Sequence, residues 1–364
     1  MPNSNSSSKS KLSAWQRFKL HPTVIRYTHW EFLPSWIANI PHAFIFIWYA
    51  IRARSFFWFS ATNPAIYTGG MIGESKDEIH QITPEEYMPI TLTVKDKMSF
   101  EQVLAQMEAK GLKLPLIVKP DKGGRGIGVQ KIHHQADLEA YHRRFEGLVY
   151  HVQELIDLPV EAGVMFYRYP DGSKWGILSV TLKDFLTVVG DGVSTLEELV
   201  NSNFRAVLVR DEMKQKHANS WKSVIPAGQK LEIEPIGNHC RGTAFVSGQE
   251  LIGEEMIAGF AHITNQIDGF YFGRYDLRCP SIEDLKAGRN IKILEINGVG
   301  ADPAHIYDSR ISIWNKYKTV AQQWQIMFEI ARYNHQVRKV PYMSLAEWRR
   351  HNRETDEFHK KHGL

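Results

Sequence analysis

The sequence predicts a chain of the α+β class, with helical segments near both ends and a body of mixed helices and strands between them. Apolar runs rich in β-branched residues, such as 116–118 (LIV), are typical of strands. Segments with apolar residues three and four positions apart, such as 99–110, are typical of amphipathic helices. The last segment, 311–364, combines a helical apolar stripe with a highly charged end, which predicts a helical tail.

Length and composition indicate a globular enzyme. A chain of 364 residues is long enough for a substantial core and two or three lobes. The composition is 43% hydrophobic and 23% charged, and the formal net charge of +4 is modest, so no nucleic-acid partner is predicted. The two cysteines, Cys240 and Cys279, exclude a disulfide framework, and the cytoplasm is the expected compartment.

The N-terminal part of the chain leaves two interpretations open. Residues 1–13 are rich in Ser, Asn and Lys and lack an apolar h-region, so a disordered tail without a secretory signal is expected. The aromatic segment 14–69 follows, with its most apolar run at 36–51. That run is short for a membrane span and contains Pro41 and His42. It fits an interfacial segment on the inner face of a membrane, because two arginines follow it, or a helical cap packed on the body.

The remaining elements are predicted in chain order from the same patterns. Strands are predicted at 85–94, 148–155, 161–167, 175–182, 269–277 and 292–296, and a hairpin over 116–132. Helices are predicted at 99–110, 137–145 and 252–267, and after the capping residues Ser194 or Thr195. We therefore expect a tail at 1–13, an aromatic segment at 14–69, a body at 70–310 and a helical extension at 311–364.

A glycine-rich basic loop closes the predicted hairpin, in the run 116–129 (LIVKPDKGGRGIGV). Such a loop can present successive backbone N–H groups to phosphate oxygens, with Lys119, Lys122 and Arg125 supplying positive charge. No GK[ST] closes it and no helix follows it, so it is neither a Walker motif nor a dinucleotide fingerprint. On its own the loop fits a structural hairpin as well as a phosphate-binding site.

Oxygen-bearing side chains end two apolar strands far downstream, in 273–277 (GRYDL) and 293–298 (ILEING). Asp276, Glu295 and Asn297 converge if these two strands are neighbours. Two carboxylates and an amide oxygen are ligands that Mg²⁺ accepts in proteins. On their own, such side chains are more often solvated or paired in salt bridges. Together with an upstream phosphate-binding loop, they indicate a site for a metal ion and phosphate groups.

Four motifs occur in the order found in the ATP-grasp superfamily: PLIVKPDKGGRGIGV, HVQELIDLPVE, VVGDGVSTLEELV and GRYDL…ILEING. Over roughly 70–308 the chain resembles, in particular, the D-alanine:D-alanine ligase-like and cyanophycin synthetase-like carboxylate–amine ligases. The resemblance implies an ATP-grasp fold, in which two α+β subdomains grip ATP. It also implies Mg²⁺ as the metal, with Mn²⁺ as an alternative.

The resemblance further implies roles for individual residues. It assigns the nucleotide to a lysine-bearing loop and helix (Lys76, Lys119, Gly123, Gly124, Arg125 and Gly126), to an adenine-reading hinge (Gln153, Glu154, Leu155 and Ile156) and to Glu161 as the ribose-binding acid. It assigns magnesium to Asp276, Glu295 and Asn297. Lys183 is a secondary candidate near the phosphates.

Three residues are candidates for a catalytic role. Lys119 is implied to contact the α and β phosphates, and Arg274 to stabilise the transferring phosphoryl group. Arg241 is a candidate for holding a substrate carboxylate or phosphate, with a surface salt bridge as the alternative. Gly300 and Ala301 are expected to offer N–H groups to a carboxylate.

The implied activity is ATP-dependent amide formation. ATP phosphorylates a carboxylate, and an amine attacks the acylphosphate to give an amide, ADP and phosphate. Only about seventy residues precede Lys76, which is short for the usual first domain, so the small carboxylate and amine substrates are not identified. Two other functions stay open: a kinase-type ATP-grasp enzyme that acts on a hydroxyl, and a non-catalytic ATP-binding protein at a membrane surface. A homodimer also stays open.

Overall fold

The protein was analysed as a computed structural model that describes residues 13–34, 40–123, 126–234, 237 and 242–362. The described helices are α1 (Ala14–Lys19), α2 (Pro22–Thr28), α3 (Ile40–Ala53), α4 (Lys76–Ile82), α5 (Phe100–Ala109), α6 (Gln135–Arg144), α7 (Leu196–Ser202), α8 (Arg210–Lys216), α9 (Glu254–Asn265), α10 (Ile282–Ala287), α11 (Ile313–Gln336) and α12 (Leu345–His362). The described strands are β1 (Thr91–Val94), β2 (Leu116–Pro120), β3 (Gln130–Ile132), β4 (Tyr150–Glu154), β5 (Val160–Arg168), β6 (Trp175–Asp184), β7 (Leu186–Val189), β8 (Lys230–Glu234), β9 (Ala244–Ser247), β10 (Phe272–Cys279) and β11 (Lys292–Asn297). This mixed content confirms the α+β class.

The chain divides into two compact units, each built from separate stretches of sequence. The first unit comprises 1–41, 183–246 and 306–312, and the second comprises 42–182, 247–305 and 313–364. The domain boundaries that the sequence suggests at 14, 70 and 311 stay predictions.

The first unit has its own small core. Its strands β7 and β8 pair antiparallel, and α7 and α8 contribute to the buried set Leu186, Val188, Leu196, Val200, Ala206, Val209, Met213, Trp221, Ile225 and Ile233. Thr195, one of the two predicted capping residues, caps α7, and Glu198 completes its capping box. A buried carboxylate, Glu31, is paired with Arg205 at 2.6 Å. Such a pair is costly to break, because the remaining charge would stay buried.

The second unit contains two antiparallel sheets. The first sheet has the strand order β1-β4-β2-β3 and carries α5 and α6 over an apolar core that includes Val103, Leu138 and Val152. The second sheet places β11, β10, β5 and β6 side by side in that order. Its core includes Phe260 of α9 and Tyr275 of β10. The predicted hairpin is confirmed by the pairing of β2 with β3.

A helical layer completes the second unit. Residues 40–51 of the predicted apolar run lie in α3, and residues 36–39 lie outside the described residues. Tyr49 of α3 stacks on Phe328 of α11 at 4.6 Å between ring centroids. The predicted helical tail is two helices, α11 and α12. Most of the predicted stripe on α11 is buried, but Trp314 is 80% exposed and does not belong to the core. Among the described helices, none is both long enough and apolar enough to cross a membrane.

Two strand predictions needed correction at their N-terminal ends. The strand predicted at 85–94 forms only from Thr91, and Glu85–Tyr87 is a 3₁₀ helix. Pro84 just before this stretch and Pro89 within it explain the difference, because proline lacks the N–H group that a strand ladder requires. The strand predicted at 269–277 begins at Phe272, since Gly269 turns the chain with φ 72°.

The side chain of Asn63 anchors the start of β10. Its Nδ2 donates to the carbonyl oxygens of Gly69 at 3.0 Å and Phe272 at 2.7 Å. Its Oδ1 accepts from the backbone N–H groups of Tyr271 and Phe272, each at 2.9 Å. Because Asn63 is fully buried, its loss would leave four backbone groups without this partner.

We expect Asn63→Ala to lower the free energy of unfolding by about 3 kcal/mol, since unpaired buried polar groups cost about 1–3 kcal/mol each. Chemical denaturation followed by tryptophan fluorescence measures the loss. Asn352→Ala on α12 is the matched control and should change stability by less than about 0.5 kcal/mol. Equal stability of both variants would contradict the anchoring role.

Candidate active site

The pairing of β10 with β11 brings the two downstream motifs together. Their antiparallel register sets Arg274 opposite Asn297 and Asp276 opposite Glu295. Since side chains alternate along a strand, these four residues lie on one face of the sheet. The expected convergence of the GRYDL and ILEING motifs is therefore observed.

Asp276 is fully engaged by its neighbours on this face. Arg274 donates from Nε to Oδ1 at 3.1 Å and from Nη2 to Oδ2 at 3.0 Å, and Asn297 Nδ2 donates to Oδ2 at 3.2 Å. Burial disfavours the charged guanidinium of Arg274, but the Asp276 carboxylate outweighs burial and raises the arginine pKa. Arg274 is thus held charged and oriented, with Nη1 donating to the carbonyl oxygen of Asp302 at 3.1 Å.

The structure describes no group of three or more His, Cys, Asp or Glu side chains arranged to hold a metal ion. The magnesium ligands implied by the resemblance, Asp276, Glu295 and Asn297, are two carboxylates and one amide. They share one face of the β10–β11 pair, and their role as metal ligands stays a prediction.

Lys119 bridges the two sheets of the second unit. It extends from β2 and donates from Nζ to Gln153 Oε1 and to the carbonyl oxygen of Leu294 on β11, both at 3.0 Å. Burial lowers the pKa of Lys119 to about 8. The positive charge of Lys76 also lowers this pKa, whereas the negative charge of Glu295 raises it. The amine is therefore still mostly protonated at pH 7, but it loses its proton far more readily than an exposed lysine does.

Lys76 approaches the carboxylate of Glu295 from the start of α4. It is the first residue of α4, which Ser75 caps by accepting from the N–H of Glu78 at 3.2 Å. Lys76 Nζ donates to the carbonyl oxygen of Gly123 at 2.8 Å and lies 4.0 Å from Glu295 Oε1. The two predicted lysines thus flank one carboxylate.

A buried carboxylate, Asp121, supports both the loop and α4. Its Oδ1 accepts from Ser75 Oγ at 2.9 Å, from the N–H of Asp77 at 2.8 Å and from His151 Nε2 at 3.2 Å. Burial opposes ionisation of Asp121, but these hydrogen bonds outweigh burial and lower its pKa. Neither Asp121 nor His151 was predicted. The available signal was the position of His151 on β4, two residues before Gln153 and hence on the same face.

A small cavity lies between these groups. It has a volume of about 20 Å³ and is lined by residues that include Lys76, His80, Lys119, Gln153 and Glu295. His80 Nε2 is buried there without a hydrogen-bond partner, and burial lowers the pKa of His80. An unpaired polar atom facing two lysines is a group that a ligand could satisfy.

The predicted hinge residues are placed at the end of β4. Gln153 is buried, and its Nε2 donates to Thr91 Oγ1 at 2.9 Å. The backbone N–H of Glu154 donates to the carbonyl oxygen of Ile90 at 2.9 Å. Leu155 and Ile156 follow directly, and the carbonyl oxygen of Ile156 accepts from Arg278 at 3.1 Å.

Glu161 is held by a partner that the sequence analysis did not identify. Arg278 lies opposite it in the β5–β10 ladder and donates from Nε to Glu161 Oε2 at 2.8 Å. Arg278 Nη2 lies 2.7 Å from the same oxygen. The pairing of residues so distant in sequence becomes apparent only from the strand register.

Of the other predicted residues, Gly123 reaches this site through its carbonyl oxygen, which accepts from Lys76 Nζ at 2.8 Å. Gly123 and Gly126 have φ values of 138° and 74°, as a glycine-dependent turn requires. Gly124, Arg125 and Arg241 lie outside the described residues. Lys183 belongs to the first unit.

The expectation for Gly300 and Ala301 was wrong. The N–H of Gly300 donates to the carbonyl oxygen of Gly70 at 2.8 Å, and that of Ala301 donates to Gly298 at 3.1 Å. Both groups are therefore used within the fold. A Cβ on Gly298 would lie 2.4 Å from the carbonyl oxygen of Gly69, so this close backbone approach requires glycine.

We expect the amine of Lys119 to titrate with a midpoint of about 8, well below the usual lysine pKa of 10.5. Glu295→Gln should lower the midpoint further, because the carboxylate favours the protonated amine, and Lys76→Met should raise it. Nuclear magnetic resonance of ¹³C-methylated lysines measures the titration, and Lys119→Arg identifies the signal. A midpoint near 10.5 in all variants would contradict the burial of this amine.

Comparisons with known proteins give one sequence relative and several similar structures. No protein-family profile matches the chain. A stretch of 140 residues is 31% identical to a D-alanine–D-alanine ligase of Corynebacterium efficiens. This match covers 34% of the present chain and 37% of that ligase, so the chain spans little more than a third of the curated relative it matches.

The similar solved structures share low sequence identity with the chain. VanG D-Ala:D-Ser ligase from Enterococcus faecalis is 16% identical with a TM-score of 0.42, over 72% of this chain and 62% of that chain. A bifunctional glutathione synthetase from Pasteurella multocida is 18% identical with a TM-score of 0.39, over 68% of this chain and 36% of that chain. D-alanine–D-alanine ligase from Bacillus anthracis is 13% identical with a TM-score of 0.42, over 75% of this chain and 70% of that chain.

The sequence relative is a D-alanine–D-alanine ligase, the kind of enzyme that the four motifs resemble. The predicted resemblance is therefore confirmed in this form: over 140 residues, this chain is similar to a D-alanine–D-alanine ligase.

Proposed function

We propose that the protein is an ATP-dependent carboxylate–amine ligase that forms an amide through an acylphosphate and releases ADP and phosphate. The observation that carries this proposal is the meeting of Lys76 and Lys119 with the carboxylate of Glu295. Phosphoryl transfer is catalysed mainly by positioning and by neutralising charge on the transferring group, which such a cluster can provide. We place the reaction in the cytoplasm as part of the same proposal.

The lysines would receive the phosphate groups. Lys119 has lost most of its hydration, so a polyanion in contact with it would favour its protonated form. Lys76 projects from the first turn of α4 toward the loop, where its amine donates to Gly123. Arg274, held charged by Asp276, would stabilise the phosphoryl group during transfer.

The predicted metal ligands carry oxygen atoms, which are the donor atoms that hard cations such as Mg²⁺ prefer. Asp276, Glu295 and Asn297 supply two carboxylates and an amide oxygen from one face of the sheet. Bound there, Mg²⁺ or Mn²⁺ would neutralise phosphate charge and orient the phosphate oxygens. Asp276 would have to exchange hydrogen bonds with Arg274 or Asn297 for this contact, whereas the Glu295 side chain is already 39% exposed.

The nucleotide base would bind at the end of β4. Gln153 and Glu154 end β4, and Leu155 and Ile156 lie in the stretch between β4 and β5. We propose that backbone groups of these four residues recognise adenine. Glu161 would contact the ribose, and Arg278 would fix its carboxylate in place.

Nucleotide entry would require the site to open. The cavity of about 20 Å³ holds about one water molecule, and the heads of Lys76 and Lys119 border it. The glycine-rich loop is the segment that we propose to move and then cover the phosphates, because Gly123, Gly126 and Gly128 adopt positive φ values. Closure would exclude water, which otherwise hydrolyses an acylphosphate.

The test is a product assay with purified protein, MgATP and a panel of small carboxylates and amines that includes D-alanine, chosen because the sequence relative is a D-alanine–D-alanine ligase. We expect amine-dependent release of ADP and free phosphate, with a matching amide in the mass spectrum. Glu295→Gln should lower the rate at least about a hundredfold, since it removes charge at the transferring group. Glu283→Gln, an exposed acid on α10, is the control and should keep full activity.

Different products would identify the alternatives. Phosphate transferred to a substrate hydroxyl would indicate a kinase. Nucleotide binding without ADP release across the whole panel would contradict the ligase proposal and favour a binding protein.

A further inference from the structure

Among the described residues, one apolar face of the helix α3 is left exposed. Its exposed residues Ile40, Phe44, Ile47, Trp48 and Ile51 recur at intervals of three or four, so they form one stripe along the helix. Phe44 is 72% exposed and Ile51 is 68% exposed. Side chains of this size are normally buried when they form a continuous stripe, so this face requires a partner.

The opposite face of α3 holds the helix on the second unit. Phe46 packs edge-on against Trp324 at 5.7 Å between ring centroids, and Ala50 is buried. Tyr49 stacks on Phe328. The stripe therefore belongs to a helix that is fixed in place and is not itself part of the core.

Positive charge accompanies the stripe. The helix α3 contains no acidic residue, and Arg52 in its last turn places its guanidinium 6.0 Å from the centroid of the Trp48 ring. Arg54 follows and is exposed, as is Arg52. An apolar stripe edged by arginines and aromatic rings is the pattern of a helix that lies in a membrane interface.

A groove beside α3 continues this pattern. It has a volume of about 1040 Å³ and runs between Phe44 and Trp48 on one side and Lys174 and Lys318 on the other. Glu329 also lines the groove, but its carboxylate accepts hydrogen bonds from Tyr169 and from Gln325. Two lysines and one carboxylate therefore line this groove, and this net positive charge complements anionic headgroups.

We propose that α3 docks the protein on an anionic bilayer surface. The stripe would lie at the boundary of headgroups and acyl chains, and Arg52, Arg54, Lys174 and Lys318 would contact anionic headgroups. With 14 residues α3 is about 21 Å long, which is short of the roughly 30 Å hydrocarbon core, so it would lie in the plane of the surface. This proposal does not depend on the ligase activity.

The test is flotation of the full-length protein with vesicles of phosphatidylcholine alone or mixed with phosphatidylglycerol. We expect flotation with the mixed vesicles, and the double variant Trp48→Ser, Ile51→Ser should reduce the partition coefficient about tenfold or more. The control is Val189→Ser, Val224→Ser, which removes two comparably exposed apolar side chains elsewhere and should leave flotation unchanged. Thermal unfolding of each variant verifies that the fold is retained.

The arginines provide a second, independent arm. Arg52→Gln and Arg54→Gln should each lower binding to the mixed vesicles about fivefold at moderate salt and should have little effect with neutral lipid. Absence of flotation with every vesicle, or equal flotation of the Trp48→Ser, Ile51→Ser variant, would overturn the proposal. It would also be overturned if sedimentation without lipid revealed a dimer that this double variant dissociates, because the stripe would then join two copies of the chain.

Discussion

The buried amine of Lys119 is the interaction on which the rest of the site depends. It crosses from the first sheet of the second unit to the backbone of Leu294 on the second sheet, and the carboxylate of Glu295 partly compensates its charge. Removing a cation from water is costly, and this cost appears as a pKa of about 8. A protein that needed only stability would gain by replacing such a lysine with an apolar side chain. Its retention is explained if a polyanion restores the favourable electrostatics.

The second requirement is a rigid platform for the oxygen ligands. Asn63 fixes the start of β10, and the close approach of Gly69 to Gly298 fixes the turn after β11. A Cβ on Gly273 would lie 2.4 Å from the carbonyl oxygen of Asn297, so the two strands meet where only glycine fits. The register between Asp276 and Glu295 is therefore set by backbone contacts outside the site itself.

The elements and the main site residues could be predicted because their signals are local or carried by ordered motifs. The β-branched run before Lys119 predicts β2, and the two acidic motifs predict the β10–β11 face. The supporting contacts could not be predicted, since Arg278 and Glu161 are 117 positions apart and Asp121 meets His151 only through strand pairing. The two interpretations of the aromatic run also could not be separated, because α3 packs one face on the body and exposes the other.

The central claim is that nucleotide phosphates bind at Lys76 and Lys119. An acylphosphate derivative of ATP, which acylates lysines beside bound phosphates, tests it most directly when the modified peptides are mapped by mass spectrometry. The account predicts modification of Lys76 or Lys119 that excess MgATP suppresses, with exposed lysines such as Lys110 unaffected by MgATP. Modification that spares both site lysines, or that MgATP does not suppress, would contradict it.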